Sequence, residues 1–134
     1  MQTWITRKKQ TVLEPDHSRF LKVEQHEISL PDGRGIPDWL WIVTPDFISV
    51  VLVTENNDYV CFRQTKYAMA GTSLGIVGGF IETGEDSLVD AKRAVLEETG
   101  DTSPDWTFLG RFPVDANRGA GHAHFYLACD ARWK

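Results

Sequence analysis

Apolar runs of strand length, punctuated by turn residues, make up most of this chain, and one segment alone carries helical spacing. Trp4 to Leu13 and Arg19 to Leu30 read as strands, followed by the turn PDGRG at Pro31 to Gly35, where Asp-Gly favours a tight reversal. This predicts an antiparallel N-terminal unit. Next come Trp39 to Val43, Phe47 to Thr54 and Tyr59 to Thr65, the last two joined by the polar connection ENND. Phe47 to Thr54 is apolar at nearly every position, as a strand covered on both faces would be. Thr107 to Val114 and His122 to Ala128 complete the strand-like runs, separated by the loop DANRGAG.

The helical segment starts at Asp86 or Ser87, either of which can cap free backbone N–H groups, and stops at Thr99, with Gly100 placed for the left-handed C′ conformation. Leu88, Ala91 and Val95, with Leu96, form its expected buried stripe, and Val89 falls off it. Asp90, Ala94, Glu97 and Glu98 share the opposite side. The element pattern is α+β, mostly strand with one long helix.

At 134 residues the chain is the size of one domain, and 42% hydrophobic with 25% charged residues is a globular composition. The balance of 14 Lys and Arg against 19 Asp and Glu gives a net charge of -5, and no basic run exceeds Arg7-Lys8-Lys9. A grip on nucleic acid backbone is therefore not expected, while a small anionic ligand stays open if a metal or local basic pocket neutralises it. Cys61 and Cys129 lie in strand-like runs and read as small buried hydrophobes, not a disulfide. No apolar stretch has the length of a signal peptide core or a membrane span, so the expected location is the cytoplasm, with no membrane partner.

Glu82, Glu85, Glu97 and Glu98 would repel one another unless a positive group lies among them. A hard divalent cation meets that need: Mg²⁺ is held by one or two carboxylates together with waters and substrate phosphates. Gly78 and Gly79 allow the backbone close to such a ligand, and Arg93 can pair with Glu97 or Glu85. The plainer reading of an acidic helix face is solvation.

The full spacing shifts that balance. Gly79, five residues, Glu85, seven residues, Arg93, then Ala94-Val95-Leu96-Glu97-Glu98-Thr99-Gly100-Asp101 resembles the Nudix box, G-x5-E-x7-R-E-U-x-E-E-x-G-U with U aliphatic. DFISVVLVTENNDYVCFRQTKY, GIVGGFIETGED and HAHFYLA look like the neighbouring segments of the ADP-ribose and nucleotide-sugar pyrophosphatase subgroup. The resemblance implies an α/β/α sandwich around a mixed sheet, with residues 1–43 as an N-terminal antiparallel β extension that mediates homodimerisation and 44–134 as the core. It implies Mg²⁺-dependent (or Mn²⁺-dependent) hydrolysis of a small-molecule nucleoside diphosphate linked to another group. Glu97, Glu98, Arg93 and Glu85 are the implied catalytic residues, and Glu97, Glu98 and the Gly78 carbonyl the implied metal ligands. Lys66, Arg63, Arg118 and Trp41 are the substrate-binding candidates, with Lys66 standing where the subgroup often has a phosphate-touching arginine. Trp39 and Trp41 are candidates to stack on an adenine, or equally to pack in a core or interface.

Three departures stand out against that pattern. Ala94 replaces the first helical glutamate of the box and Asp101 an aliphatic residue, while no glutamate follows Glu98. Asp90, one turn before Ala94, is either a substitute carboxylate or a residue favoured by the helix dipole. His122 and His124 are a metal pair or ordinary strand residues. The family normally continues with a further strand and closing helix, so the fold is expected to lack its C-terminal part. The competing expectation is a Nudix-like nucleotide-binding module without turnover.

Overall fold

Antiparallel pairing organises the N-terminal segment. In the computed structural model, which describes residues 3–16 and 20–134, β1 (Ile5–Leu13) pairs with β2 (Lys22–Ser29), and β2 with β3 (Gly35–Val43). Arg19, the expected start of the second strand, lies outside the described residues, and that strand is seen from Lys22. The β2–β3 reversal is closed by Gly33 N–H to the Leu30 carbonyl (3.0 Å) and Leu30 N–H to the Arg34 carbonyl (2.8 Å). β3 begins four residues earlier than its apolar run, because the turn hands the chain directly into the ladder at Ser29↔Gly35.

The contacts divide the chain into two compact units, residues 1–45 with 113–122, and residues 46–112 with 123–134. In the first, β1 is exposed along its length, while Ile28 and His26 of β2 are buried.

The second unit is built around β4 (Phe47–Thr54), where Ile48, Val50 and Leu52 are buried and the residues between them are half-buried. β7 (Val77–Phe80) lies antiparallel to β4, and the Ala123–Ala131 part of β10 (Gly119–Trp133) lies parallel to it on the other edge. A central position of this kind removes both backbone edges of β4 from water, which suits its apolar sequence. β9 (Asp105–Asp115) and the two-residue β8 (Asp101–Thr102) also pair with β10. β5 (Phe62–Gln64) and β6 (Ser73–Gly75) form a separate hairpin. The Gln64 side chain lies over Gly75, so a Cβ there would oblige the glutamine amide to turn away.

The helix α1 (Ser87–Thr99) has the expected ends. Asp86 caps it by accepting from Leu88 N–H (2.9 Å) and Val89 N–H (3.3 Å), and Gly100 closes it at φ 76° with its N–H on the Leu96 carbonyl (3.0 Å). Its packing on β4 and β7 corrects the expected stripe. Ala91, Val95, Asp90 and Ala94 are buried, whereas Leu96 is exposed. At about 100° per residue, Ala94 lies about 60° from Ala91 around the helix and Leu96 about 140°, so a contact arc centred near Ala91 takes in the alanine and leaves out the leucine. Ile48, Val50, Leu52, Val77 and Tyr126 meet this face in one core.

The cysteines also differ from expectation. Both are free, but Cys61 is exposed just before β5 and Cys129 is half-buried in β10.

Candidate active site

The loop from β7 into α1 is shaped by a tight turn and one buried acid. Glu85 N–H reaches the Glu82 carbonyl (3.0 Å), and Gly84 at φ 87° supplies the left-handed residue within that turn. Glu82 N–H donates to Asp90 Oδ2 (3.0 Å), which ties the loop to the first turns of the helix. Ile81 N–H is held by the Asp46 carbonyl (2.9 Å).

Arg93 gathers the acidic residues. Its Nη2 donates to Asp90 Oδ1 and lies 4.0 Å from Glu82 Oε1, while Nη1 lies 3.4 Å from Glu97 Oε2. The expected pairing with Glu97 is present as a loose contact, and the alternative with Glu85 is replaced by the Asp90 bond. Burial works against ionisation of Asp90, but hydrogen bonds from Arg93, Glu85 and Glu82 N–H outweigh it and hold the carboxyl below the usual range. Glu85 moves the other way: its hydrogen bond with Asp90, then desolvation and the neighbouring negative charges, raise its pKa.

Glu98 sits two turns beyond Ala91, about 20° from it around the helix. That direction carries its carboxylate toward β7, where it accepts from Gly78 N–H. Partial burial pushes its pKa up, the Gly78 bond and the Lys66 charge oppose this, and Glu97 adds to it. Glu98 is thus a carboxylate whose negative charge the protein only partly compensates. A Cβ at Gly78 would stand 3.1 Å from the Ile48 carbonyl, so a side chain there would crowd the β4–β7 pairing beneath Glu98.

Gly78, Glu85, Arg93, Glu97, Glu98 and Lys66 therefore all belong to the second unit, with Glu98 linked to Gly78 and within reach of the Lys66 charge. Arg63 belongs to the same unit, exposed on β5 opposite Leu74. Trp41 and Arg118 belong to the first unit. Trp41 stacks on His26 with centroids 5.6 Å apart, and Gly119 lies so close that a Cβ would meet the indole at 2.6 Å. Arg118 lies over the Trp39 ring at 5.2 Å and donates to the Leu40 carbonyl (3.3 Å). The rings of Trp39 and Trp41 thus have partners within the first unit, and Arg118 lies against one of them.

His124 is an ordinary member of a polar cluster, 3.2 Å from Asp46 Oδ2, which also accepts from Arg111 Nη2 (3.0 Å). Among the described residues no group of three or more His, Cys, Asp or Glu side chains is placed to hold a metal ion unaided. Ala94, 8% exposed and part of the core, puts a methyl where a third carboxylate would complete the helix face.

Asp90 is the helix residue whose setting differs most from what spacing predicts. Its helical angle alone is ambiguous, but two signals pointed inward: small neighbours at Ala91 and Ala94 leave room beneath it, and Arg93 stands three residues on to satisfy a buried charge.

A model of the NUDIX domain matches residues 44–133. The chain is 26% identical over 110 residues to a methanol dehydrogenase activator of Bacillus methanolicus, covering 82% of this chain and 59% of that protein. It is 26% identical over 102 residues to an ADP-ribose pyrophosphatase of Bacillus subtilis (strain 168), covering 76% and 55%. The chain thus spans less than two thirds of the length of these relatives. A crystal structure of an ADP compounds hydrolase superposes with a TM-score of 0.78 at 20% identity, over 100% of this chain and 71% of that one, a likeness that speaks for the fold. With the box residues Gly79, Glu85, Arg93, Glu97, Glu98 and Gly100 in place around one capped helix, and the domain model covering residues 44–133, the chain belongs to the Nudix family.

Proposed function

We propose that this chain hydrolyses the diphosphate of a nucleoside diphosphate linked to another group, with ADP-ribose and nucleotide sugars as the substrate class. The observation that carries this reading is the arrangement of the box on one capped helix: Glu97 and Glu98 stand exposed at its C-terminal end, with Arg93 bridging Asp90, Glu82 and Glu97 one turn before them. Similarity to an ADP-ribose pyrophosphatase supports the choice of substrate.

The donors fit one kind of cation site. Two carboxylates and a carbonyl suit Mg²⁺ or Mn²⁺, which complete their coordination with waters and phosphate oxygens, and they do not suit an all-protein cage. Glu97, Glu98 and the Gly78 carbonyl are the residues that would hold it. When bound, such a cation neutralises the diphosphate and stabilises the charge that develops on phosphorus-bound oxygens.

The chain's own residues supply the rest. Gly78 N–H orients the Glu98 carboxylate, and Arg93, through Asp90, Glu82 and Glu97, keeps the turn and the helix in register. Lys66 and Arg63 offer positive charge to the diphosphate, Lys66 as a point charge without the bidentate fork of an arginine.

Ala94 favours a second reading, a nucleotide-binding module without turnover, because its buried methyl removes one carboxylate from the helix face. Phosphorus NMR separates the two. Incubation with ADP-ribose, a panel of nucleotide sugars and Mg²⁺ is expected to give AMP or another nucleoside monophosphate. Binding by calorimetry with no product would support the module instead.

A further inference from the structure

Buried acids in a helix are costly unless their charge is matched, so a fully buried Asp beside the Nudix box calls for a reason. Asp90 is 1% exposed and lies inside the packed face of α1. Both its oxygens are engaged: Oδ2 accepts Glu82 N–H at 3.0 Å and Oδ1 accepts Arg93 Nη2, with the Glu85 side chain as a further hydrogen-bond partner. An acid so buried and already bonded through both oxygens is not presented to a cation and does not replace the carboxylate missing at Ala94.

Its three partners are all box or loop residues. Arg93 reaches Asp90 in a buried, charge-assisted bond, but reaches Glu97 at 3.4 Å and Glu82 at 4.0 Å, two side chains that are 61% and 68% exposed. Ion pairs to exposed carboxylates are weak and screened, whereas a hydrogen-bonded pair with a buried partner is strong and expensive to break. Arg93 therefore stays where it is whether or not Glu97 remains beside it.

We propose that Asp90 is a positioning residue: it locks Arg93 and the Glu82–Glu85 turn into one unit and so leaves Glu97 free to turn from the guanidinium to a divalent cation at Glu98. Without the Asp90 charge, Arg93 has only exposed carboxylates to pair with, and it then competes with the cation for Glu97. This rests on the pyrophosphohydrolase reading only for the final ligand; the competition for Glu97 belongs to the chain itself.

The test is Asp90→Asn, which keeps shape and removes charge, made alone and on an Arg93→Gln background. Mn²⁺ affinity is read by electron paramagnetic resonance and folding by circular dichroism. In the wild-type background Asp90→Asn is expected to weaken Mn²⁺ binding about tenfold, the size usual for a residue supporting a metal ligand. On the Arg93→Gln background it is expected to change Mn²⁺ binding less than twofold, because the competing cation is gone, an interaction that a merely structural role does not produce. Equal weakening in both backgrounds, unchanged affinity in the first, or no Mn²⁺ binding by the wild type overturns the proposal. Should Asp90→Asn fail to fold, Arg93→Lys replaces it: a lysine holding Asp90 cannot also reach Glu97, so Mn²⁺ affinity equal to or tighter than wild type is expected, and a tenfold loss contradicts it. Where AMP release is measurable, kcat falls in Asp90→Asn with KM little changed. Absent AMP release with the Mn²⁺ results as expected removes the pyrophosphohydrolase reading and leaves the role of Asp90 standing.

Discussion

Ala94 and Asp90 both depart from their expected settings. Both fall on the side of α1 that the spacing assigns to the carboxylates, yet both are buried, and of the four only Glu97 and Glu98 remain exposed. Helical spacing fixes angles between residues but not where the contact arc is centred, and a stripe chosen by apolarity favoured Leu96 over Ala94. Burial at position 94 sets a sharp expectation for restoring the glutamate of the box. Ala94→Glu places a carboxyl in an apolar core with no partner but the cation, so in a chelator it is expected to lose about 1–3 kcal/mol, the usual cost of burying a polar group without compensation. Mg²⁺ should return part of that loss, as any ligand of the native state does. Urea unfolding with chelator and with saturating Mg²⁺ checks it; an unchanged midpoint in both conditions would mean that the side chain escapes to solvent and never joins the site.

At the scale of elements, the ends of α1 were legible because capping is local chemistry: an acceptor at Asp86 and a residue free to adopt positive φ at Gly100. The long strands were legible for the same reason, each carrying enough apolar positions to read alone. The short strands β6, β7 and β8 were not. β7 is VGGF, too poor in side chains to show alternation, and it exists because Val77 to Phe80 pairs in register with Val50 to Phe47. Gly100 illustrates how much one such position carries. Besides its left-handed backbone, it has the Trp133 ring against it, where a Cβ would stand 2.4 Å away. Gly100→Ala is therefore expected to cost at least the 1–2 kcal/mol or so of forcing an L-residue into that conformation. A thermal melt that shows no loss would imply that the helix ends elsewhere in solution.

Across the whole molecule, the composition and the box spacing carried the class of fold and the family, since both are properties of the chain read end to end. The spacing could not reveal what each box residue touches. Gly78 N–H comes to Glu98 only because β7 folds back along β4, and the Lys66 charge acts on it from the loop after the β5 strand. Trp41 and Arg118, chosen for their chemistry, are occupied within the first unit by His26, Trp39 and the Leu40 carbonyl. No helix among the described residues is long and apolar enough to cross a membrane. The proposed function rests on a cation held at two carboxylates acting on a diphosphate, with Glu98 at its centre. The direct test is the Mg²⁺ dependence of AMP release from ADP-ribose, for the wild type and for Glu98→Gln. The wild type is expected to show a saturable rise in rate with Mg²⁺, and Glu98→Gln a rate lower by roughly 100-fold or more, in line with the loss of a group that positions charge in the transition state. Hydrolysis indifferent to Mg²⁺, or an unaltered curve in Glu98→Gln, would contradict it.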